Sequence, residues 1–324
     1  MKHALLIGQT PLQLVNLIEA EKTYSLNGVY VLFFDCQTNH RRMQELVTLF
    51  DLQQVYFFAL SRSFRLLFPL KLHRLLRLLP SPIDYVVYGT YASWAAWLVN
   101  SLPQAHPILV DDGQKTLTIL QRPQAVGLHK NKFLKRLNKS FVQRSEFFTY
   151  YADYALEKAQ LAQKNTLQFL HRLRPELPQL DLLAQRKVVF IGTNILQTYP
   201  SLEAKMAEVV ARHRHEGPLL YIMHRYDDEI LVKGWAQRYG FACVKLDYPL
   251  ELYFPYFASD AIVCSFGSSA LDTLALLRPD LPITLYRLPL SGFASQAQAE
   301  GFAHIWDYCC RQPMFTCIEL NSSP

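Results

Sequence analysis

Ten short apolar runs, rich in β-branched and aromatic residues, recur along this 324-residue chain in two sets of five. The first set is "HALLIG" (3–8), "GVYVLFF" (28–34), "QVYFFAL" (54–60), "DYVVYG" (84–89) and "PILVDDG" (107–113). The second is "KVVFIG" (187–192), "PLLYIMH" (218–224), "FACVKL" (241–246), "AIVCSF" (261–266) and "PITLYR" (282–287). Within each set the runs are separated by segments of helical periodicity or basic linkers. Strands buried on both faces read as continuous apolar runs, and parallel strands need a crossover, usually a helix, to join them. The alternation therefore predicts α/β architecture with parallel, helix-covered sheets. A helix-rich passage at about 150–185, ending in the proline-bearing "RLRPELPQL" (172–180), separates the sets. The expected division is a Rossmann-like domain over 1–150, a helical linker over 151–186 and a second Rossmann-like domain over 187–324. Two cores suit the length.

Half of the residues are hydrophobic and 19% are charged, which excludes a disordered chain. No run of about 20 apolar residues is present to span a bilayer. The amino terminus "MKHALLIGQT" has too short an apolar run for a secretory signal and continues directly into strand and helix patterns. The six cysteines (Cys36, Cys243, Cys264, Cys309, Cys310, Cys317) form no C-x-x-C pair. They read as free thiols in a reducing compartment, and a soluble, cytoplasmic protein is expected. The net charge of +6 gathers in "RSFRLLFPLKLHRLLRLL" (62–79) and "HKNKFLKRLNKSFVQR" (129–144). Basic residues interleaved with Leu and Phe suit the surface of an anionic bilayer. They equally suit an amphipathic helix with a solvated basic face. No nucleic-acid-binding motif accompanies the charge.

In sheets of this kind ligands bind beyond the carboxyl ends of the strands. Three clusters lie there. In "ILVDDGQKT" (108–116) a strand runs into Asp111 and Asp112, and Gly113 lets the backbone turn. Adjacent carboxylates repel, so one is a candidate proton acceptor near neutrality, while an Asp-Asp-Gly turn is the plainer reading. In "YIMHRYDDE" (221–229) His224 ends a strand and Arg225 follows it. That pair is suited to a phosphate or a departing anion, although strand-end histidines are often structural. In "VCSFGSSALDTLALL" (263–277) Gly267 turns the chain, and Ser268 and Ser269 open a helix whose Asp272 completes an S-x-x-D capping pattern. Free N–H groups and two hydroxyls at a helix start make a phosphate site. A simple N-cap would need only one of the serines.

The two halves also open alike, with "GQTPLQ" (8–13) and "GTNILQ" (192–197) each following a strand. Gln9 and Thr10, together with Gly113 of the acidic cluster, are candidates on the first domain. Gly192, Thr193 and Asn194 are candidates on the second.

In this order the clusters resemble bacterial lipooligosaccharide sialyltransferases, a family with an acidic-acidic-Gly motif in the first domain and His-Pro and Ser-Ser/Thr motifs in the second. The matching residues are Asp111-Asp112-Gly113, His224 and Ser268-Ser269, with "TPLQL" (10–14) and "FIGTNIL" (190–196) similar to the family's domain openings. Arg225 stands where the family usually has proline, and the true His-Pro, His106-Pro107, lies in the other domain. The resemblance implies a GT-B fold, two Rossmann-like domains whose parallel sheets face a central cleft, with no required metal or other cofactor. It implies inverting transfer of sialic acid or a related nonulosonic acid from a CMP-sugar to a hydroxyl of a surface glycan: lipooligosaccharide, lipopolysaccharide or capsule. Asp111, more than Asp112, would be the base. His224 would protonate or hydrogen-bond the leaving phosphate, which Gly267, Ser268, Ser269 and Arg225 would hold, and Gly192, Thr193 and Asn194 would touch the nucleotide. The acceptor, an oligosaccharide or lipid-linked glycan, would face Gln9, Thr10 and Gly113. Peripheral contact with the inner membrane and a homodimer are further expectations; nucleic acid is not an expected partner. A GT-B enzyme using a UDP- or GDP-sugar, or a non-catalytic nucleotide-sugar or glycan-binding protein, are the alternatives.

Overall fold

The computed structural model describes residues 2–60, 75–77, 79, 81–90, 92–121 and 144–321. The basic segments 62–79 and 129–144 lie almost wholly outside the described residues. The chain divides into two compact units, Met1–Leu173 and Arg174–Pro324. Among the described residues no helix is long and apolar enough to cross a membrane.

The first unit is built on a seven-stranded sheet of order β3-β2-β1-β4-β5-β6-β7. Its strands are β1 (Lys2–Gly8), β2 (Leu26–Phe34), β3 (Val55–Ala59), β4 (Tyr85–Tyr88), β5 (His106–Val110), β6 (Glu146–Thr149) and β7 (Ala162–Lys164), and every pairing is parallel. Leu5, Leu6, Ile7, Val86, Val87 and Ile108 are wholly buried in its central strands, as crossover helices on both faces require. The strand order reverses between β1 and β4, so a crevice opens there beyond the carboxyl ends.

The second unit repeats the design with six strands in the order β10-β9-β8-β11-β12-β13, again all parallel. These are β8 (Val188–Ile191), β9 (Leu219–Ile222), β10 (Ala242–Val244), β11 (Ile262–Ser265), β12 (Ile283–Arg287) and β13 (Phe315–Glu319). Here the order reverses between β8 and β11.

All ten expected strands are present, and β6, β7 and β13 are additional. The segment 151–186, expected as a helical linker, is shared by the two units. Its helix Ala152–Glu157, β7 and the helix Gln168–Arg172 belong to the first, and the helix Leu180–Ala184 to the second.

A further expectation is corrected. Cys310 and Cys317 form a disulfide that ties the end of the helix Gln296–Cys309 to β13, while Cys36, Cys243, Cys264 and Cys309 are free thiols. The openings of the two halves also diverge. After β1 the chain enters the helix Pro11–Thr23 within three residues, whereas after β8 a run of turns precedes the helix Leu202–Arg212. Gln13 is buried and its echo Gln197 is exposed.

Candidate functional site

In the first unit the sequence-predicted residues meet at the ends of β1 and β5. Thr10 caps the helix Pro11–Thr23 in extended backbone, and its Oγ1 accepts the Gln13 N–H at 3.3 Å. Pro11 fits the first helical position because it has no N–H to lose. The cap points Gln13 back over the strand ends. Its Oε1 accepts the Gln9 N–H at 2.8 Å, and its Nε2 donates to Asp112 Oδ1 at 2.7 Å. Thr90, just beyond β4, donates to Gln9 Oε1 at 3.4 Å.

The two aspartates have different surroundings. Asp111 is 0% exposed, with Oδ1 accepting from the Thr149 hydroxyl at 2.6 Å and Oδ2 from the Tyr150 N–H at 2.9 Å. Its carbonyl accepts from Asn16 Nδ2 at 3.1 Å. These bonds tie the end of β5 to the end of β6 and to the helix Pro11–Thr23. Asp112 is turned outward, its side chain 16% exposed, with Oδ2 at 3.0 Å from Lys115 Nζ. Gly113 makes the turn with φ 63° and leads into the helix Lys115–Gln121. Within the pair it is Asp112 whose carboxylate is partly exposed, while Asp111 is buried and holds the strand ends.

In the second unit three adjacent strands, β9, β8 and β11, bring their ends together. Gly192 follows β8 and donates to the Ile222 carbonyl at 2.8 Å. A Cβ there would lie 2.8 Å from the His224 nitrogen and 2.9 Å from both the Ile222 carbonyl oxygen and Asp227 Oδ2. Only glycine admits the turn that carries His224. Asp227, buried, fixes that turn by accepting the His224 N–H at 2.8 Å and the Tyr221 hydroxyl at 3.0 Å. Burial raises the Asp227 carboxyl above its ordinary range, against the lowering effect of those two bonds and of Lys245. Asp228, its neighbour, instead caps the helix Glu229–Tyr239 through bonds from the Ile230 and Leu231 N–H groups.

His224 itself is half-buried. Burial and then the Arg225 charge pull its imidazole down to about 4. The ring is neutral at neutral pH, and Nδ1 accepts the Tyr226 N–H at 3.3 Å, which leaves the proton on Nε2. His224 therefore offers a neutral Nε2–H donor. Arg225 is exposed, with its guanidinium 4.7 Å from the centre of the Tyr226 ring.

At β11 the turn is held from beneath. Ser265, wholly buried, accepts the Gly267 N–H at 3.2 Å and the Ser268 N–H at 3.1 Å through its hydroxyl. Trp306 donates its indole N–H to the Phe266 carbonyl at 2.7 Å, close to Gly267, whose φ is 130°. Thr193 Oγ1 donates to the Gly267 carbonyl at 3.3 Å and so links the β8 and β11 ends at the reversal point. Ser268 Oγ accepts from the Ala270 N–H at 3.4 Å, and Ser269 is the N-cap of the helix Ala270–Leu277.

The expected S-x-x-D cap is not formed. Ser269 sits in helical backbone with no side-chain capping bond, and Asp272 is buried beside Cys309. The expected free N–H groups are reduced as well, because Ser265 already takes those of Gly267 and Ser268. The Ser269 hydroxyl makes no capping bond, and the Ser268 hydroxyl, which accepts from Ala270, still has its own hydrogen to donate.

The structure thus brings Gly192, Thr193, His224, Gly267, Ser268 and Ser269 to neighbouring strand ends, with Asn194 and Arg225 on the exposed side. His106-Pro107 lies at the opposite end of β5, where His106 Nε2 meets Glu146 at 2.9 Å, away from these turns. Sequence reading missed Gln13, Ser265, Asp227 and Trp306. All four hold site residues from behind, and "TPLQ", "CSFG" and "HRYDD" contained three of them. Among the described residues no group of three or more His, Cys, Asp or Glu side chains is placed to hold a metal ion.

No protein-family model matches the chain, and no curated protein matches it in sequence. Solved structures do. An alpha/beta-galactoside alpha-2,3-sialyltransferase from Photobacterium phosphoreum aligns with a TM-score of 0.60 at 9% identity, covering 98% of each chain. A UDP-GlcNAc 2-epimerase from Neisseria meningitidis, bound to UDP-GlcNAc, aligns with a TM-score of 0.55 at 13% identity over 94% of this chain and 85% of its own. MurG from Acinetobacter baumannii gives 0.51 at 10% identity over 98% and 86%. At these identities the likeness is one of fold, and the fold is of the GT-B type: two α/β units, each on a wholly parallel sheet.

Proposed function

We propose that the protein is an inverting glycosyltransferase whose second unit binds a nucleotide-activated sugar and whose first unit supplies the base. The observation that carries this reading is the convergence of Gly192, His224 and Gly267–Ser269 on the ends of β8, β9 and β11, at a reversal of strand order. There the Ser269 and Ser268 hydroxyls and the His224 Nε2–H meet a phosphate as neutral donors, and Arg225 supplies the charge.

In the proposed reaction Asp112 accepts the proton of an acceptor hydroxyl as that oxygen attacks the anomeric carbon. The bond to the phosphate oxygen breaks, and His224 Nε2–H stabilises the charge that develops on the departing phosphate. The motif resemblance favours a CMP-linked nonulosonic acid as donor and a surface glycan as acceptor. A second donor class, a UDP-sugar, is favoured by the fold neighbour bound to UDP-GlcNAc.

Thermal unfolding with CMP, UMP, GMP and AMP separates the two, because a ligand that binds only the folded state raises Tm by mass action. A larger shift with CMP supports the cytidine donor, a larger shift with UMP transfers the reading to UDP-sugars, and equal or absent shifts remove the nucleotide site.

A further inference from the structure

We infer that Gln13 is a positioning residue for the Asp112 carboxylate: a buried amide, locked in one orientation, that aims the base of the proposed transfer. The inference rests on the reading of Asp112 as base and adds a residue to it.

Gln13 is 2% exposed, on a helix whose Leu14, Val15, Leu17 and Ile18 are buried apolar residues. A leucine or methionine would fill that space without the cost of desolvating an amide, which is recovered only if both ends of the amide are bonded. Both ends are bonded. The Gln9 N–H can only donate, so it fixes the amide oxygen toward β1 and turns Nε2 toward Asp112 Oδ1 at 2.7 Å. Room for the side chain comes from Gly89, just after β4, where a Cβ would stand 2.8 Å from Gln13 Cβ and Cγ. Turns following β1, β4 and β5 thus all close on this one side chain.

The next polar residues on the same helix face, Asn16 and Glu19, bond the Asp111 carbonyl and the Phe169 and Leu170 N–H groups, which are backbone anchors. Gln13 alone of the three reaches a carboxylate that is open to solvent. The charged groups beside that carboxylate are Lys115, which meets Oδ2, and the adjacent Asp111. The Lys115 side chain is 56% exposed, so the buried Gln13 is the fixed partner and sets the direction of the carboxylate.

Gln13→Glu tests this. The variant keeps the shape and the bond to the Gln9 N–H but sets a second carboxylate oxygen against Asp112, and two such groups share a proton. Gln13→Met removes the donor without adding charge and controls for folding. The readouts are the Asp112 side-chain carboxyl titration by carbon-13 NMR, and kcat, KM and the pH profile of the transfer reaction. Gln13→Glu is expected to move the Asp112 titration and the acidic limb of the profile up by about one unit or more. It should lower kcat at pH 7 at least tenfold, with the donor KM unchanged. Gln13→Met should move both midpoints the same way by less.

A merely structural Gln13 would lower Tm in both variants and leave the titration and the profile where they are; that result overturns the inference. The two readings fail separately. If Asp112→Asn keeps its turnover the base assignment is lost, while the Asp112 titration in Gln13→Glu still decides whether Gln13 governs that carboxylate.

Discussion

One oxygen of Asp227 holds His224 in place: Oδ2 accepts the His224 N–H at 2.8 Å, and the same oxygen stands 2.9 Å from where a Cβ on Gly192 would be. The first turn of the second unit and the histidine turn are therefore packed as one piece. Nothing larger than glycine fits between β8 and the chain after β9.

Gly192→Ala follows directly. The new methyl meets backbone atoms, the His224 nitrogen and the Ile222 oxygen, which cannot rotate away as a side chain end would. The variant should lose about 1–3 kcal/mol of stability, as overpacking does. It should also bind nucleotide more weakly than that loss explains, because His224 is displaced. Denaturant unfolding and nucleotide titration on one preparation check this; unchanged nucleotide affinity would detach the β8 turn from the ligand site.

The aspartate pair should separate by phenotype. Asp111→Asn replaces one of two buried acceptors facing Thr149 and Tyr150 with a donor, and should cost about 1–3 kcal/mol. Asp112→Asn should fold normally, bind donor normally and lose at least 100-fold in turnover, the usual range for a missing general base. If Asp111→Asn is the stable, inactive variant of the two, the assignment of roles inverts.

How much of this was legible beforehand depends on what each residue faces. The central strands were readable because both faces of β1, β4, β5, β8 and β11 are covered, which leaves continuous apolar runs. β7 was not, since Ala162–Lys164 is a three-residue edge strand with two exposed positions and no apolar pattern. β6 was hidden in "SEFFTYYADY", where aromatic residues run on into the helix Ala152–Glu157 without punctuation. Among the described residues β13 pairs only with β12, at the edge of its sheet, and follows a turn. At the site, residues at strand ends could be found because the fold class says where to look. Ser265, Asp227 and Gln13 could not, since each acts through contacts made after folding. The contrast within Asp111-Asp112 was likewise unreadable, because successive residues leaving a strand face opposite sides, here one buried and one partly exposed.

Ser265 and Ser269 should differ in the same manner. Ser265→Ala leaves the buried Gly267 and Ser268 N–H groups without their acceptor and should cost about 1–3 kcal/mol, with weaker nucleotide binding as a consequence of a loosened turn. Ser269→Ala removes a hydroxyl that makes no capping bond, so stability should hold within about 0.5 kcal/mol. Nucleotide affinity should nevertheless fall. A Ser269→Ala protein that binds nucleotide like the wild type would exclude that hydroxyl from the phosphate site.

The last prediction concerns pH and the His224 ring. Its folded-state value is pulled down to about 4 by burial and by Arg225, against about 6.5 in an unfolded chain. Between those values the unfolded chain takes up a proton that the folded chain refuses. Stability from this group is therefore complete above about pH 6.5 and is lost as the pH falls toward 4. Asp227, raised by burial, acts in the opposite direction as its carboxyl ionises, so the histidine effect must be read as a difference between proteins. His224→Asn keeps a side chain that can accept the Tyr226 N–H and removes the titration. Relative to the wild type it should gain about 2 kcal/mol between pH 7 and pH 5. Adding nucleotide should raise the wild-type ring's titration, since a bound phosphate favours imidazolium. Proton NMR of the His224 ring with and without CMP, alongside turnover of His224→Asn at pH 7, tests both parts together. A ring that titrates near 6.5 and ignores the nucleotide, in a protein whose turnover survives the substitution, would take His224 out of the site.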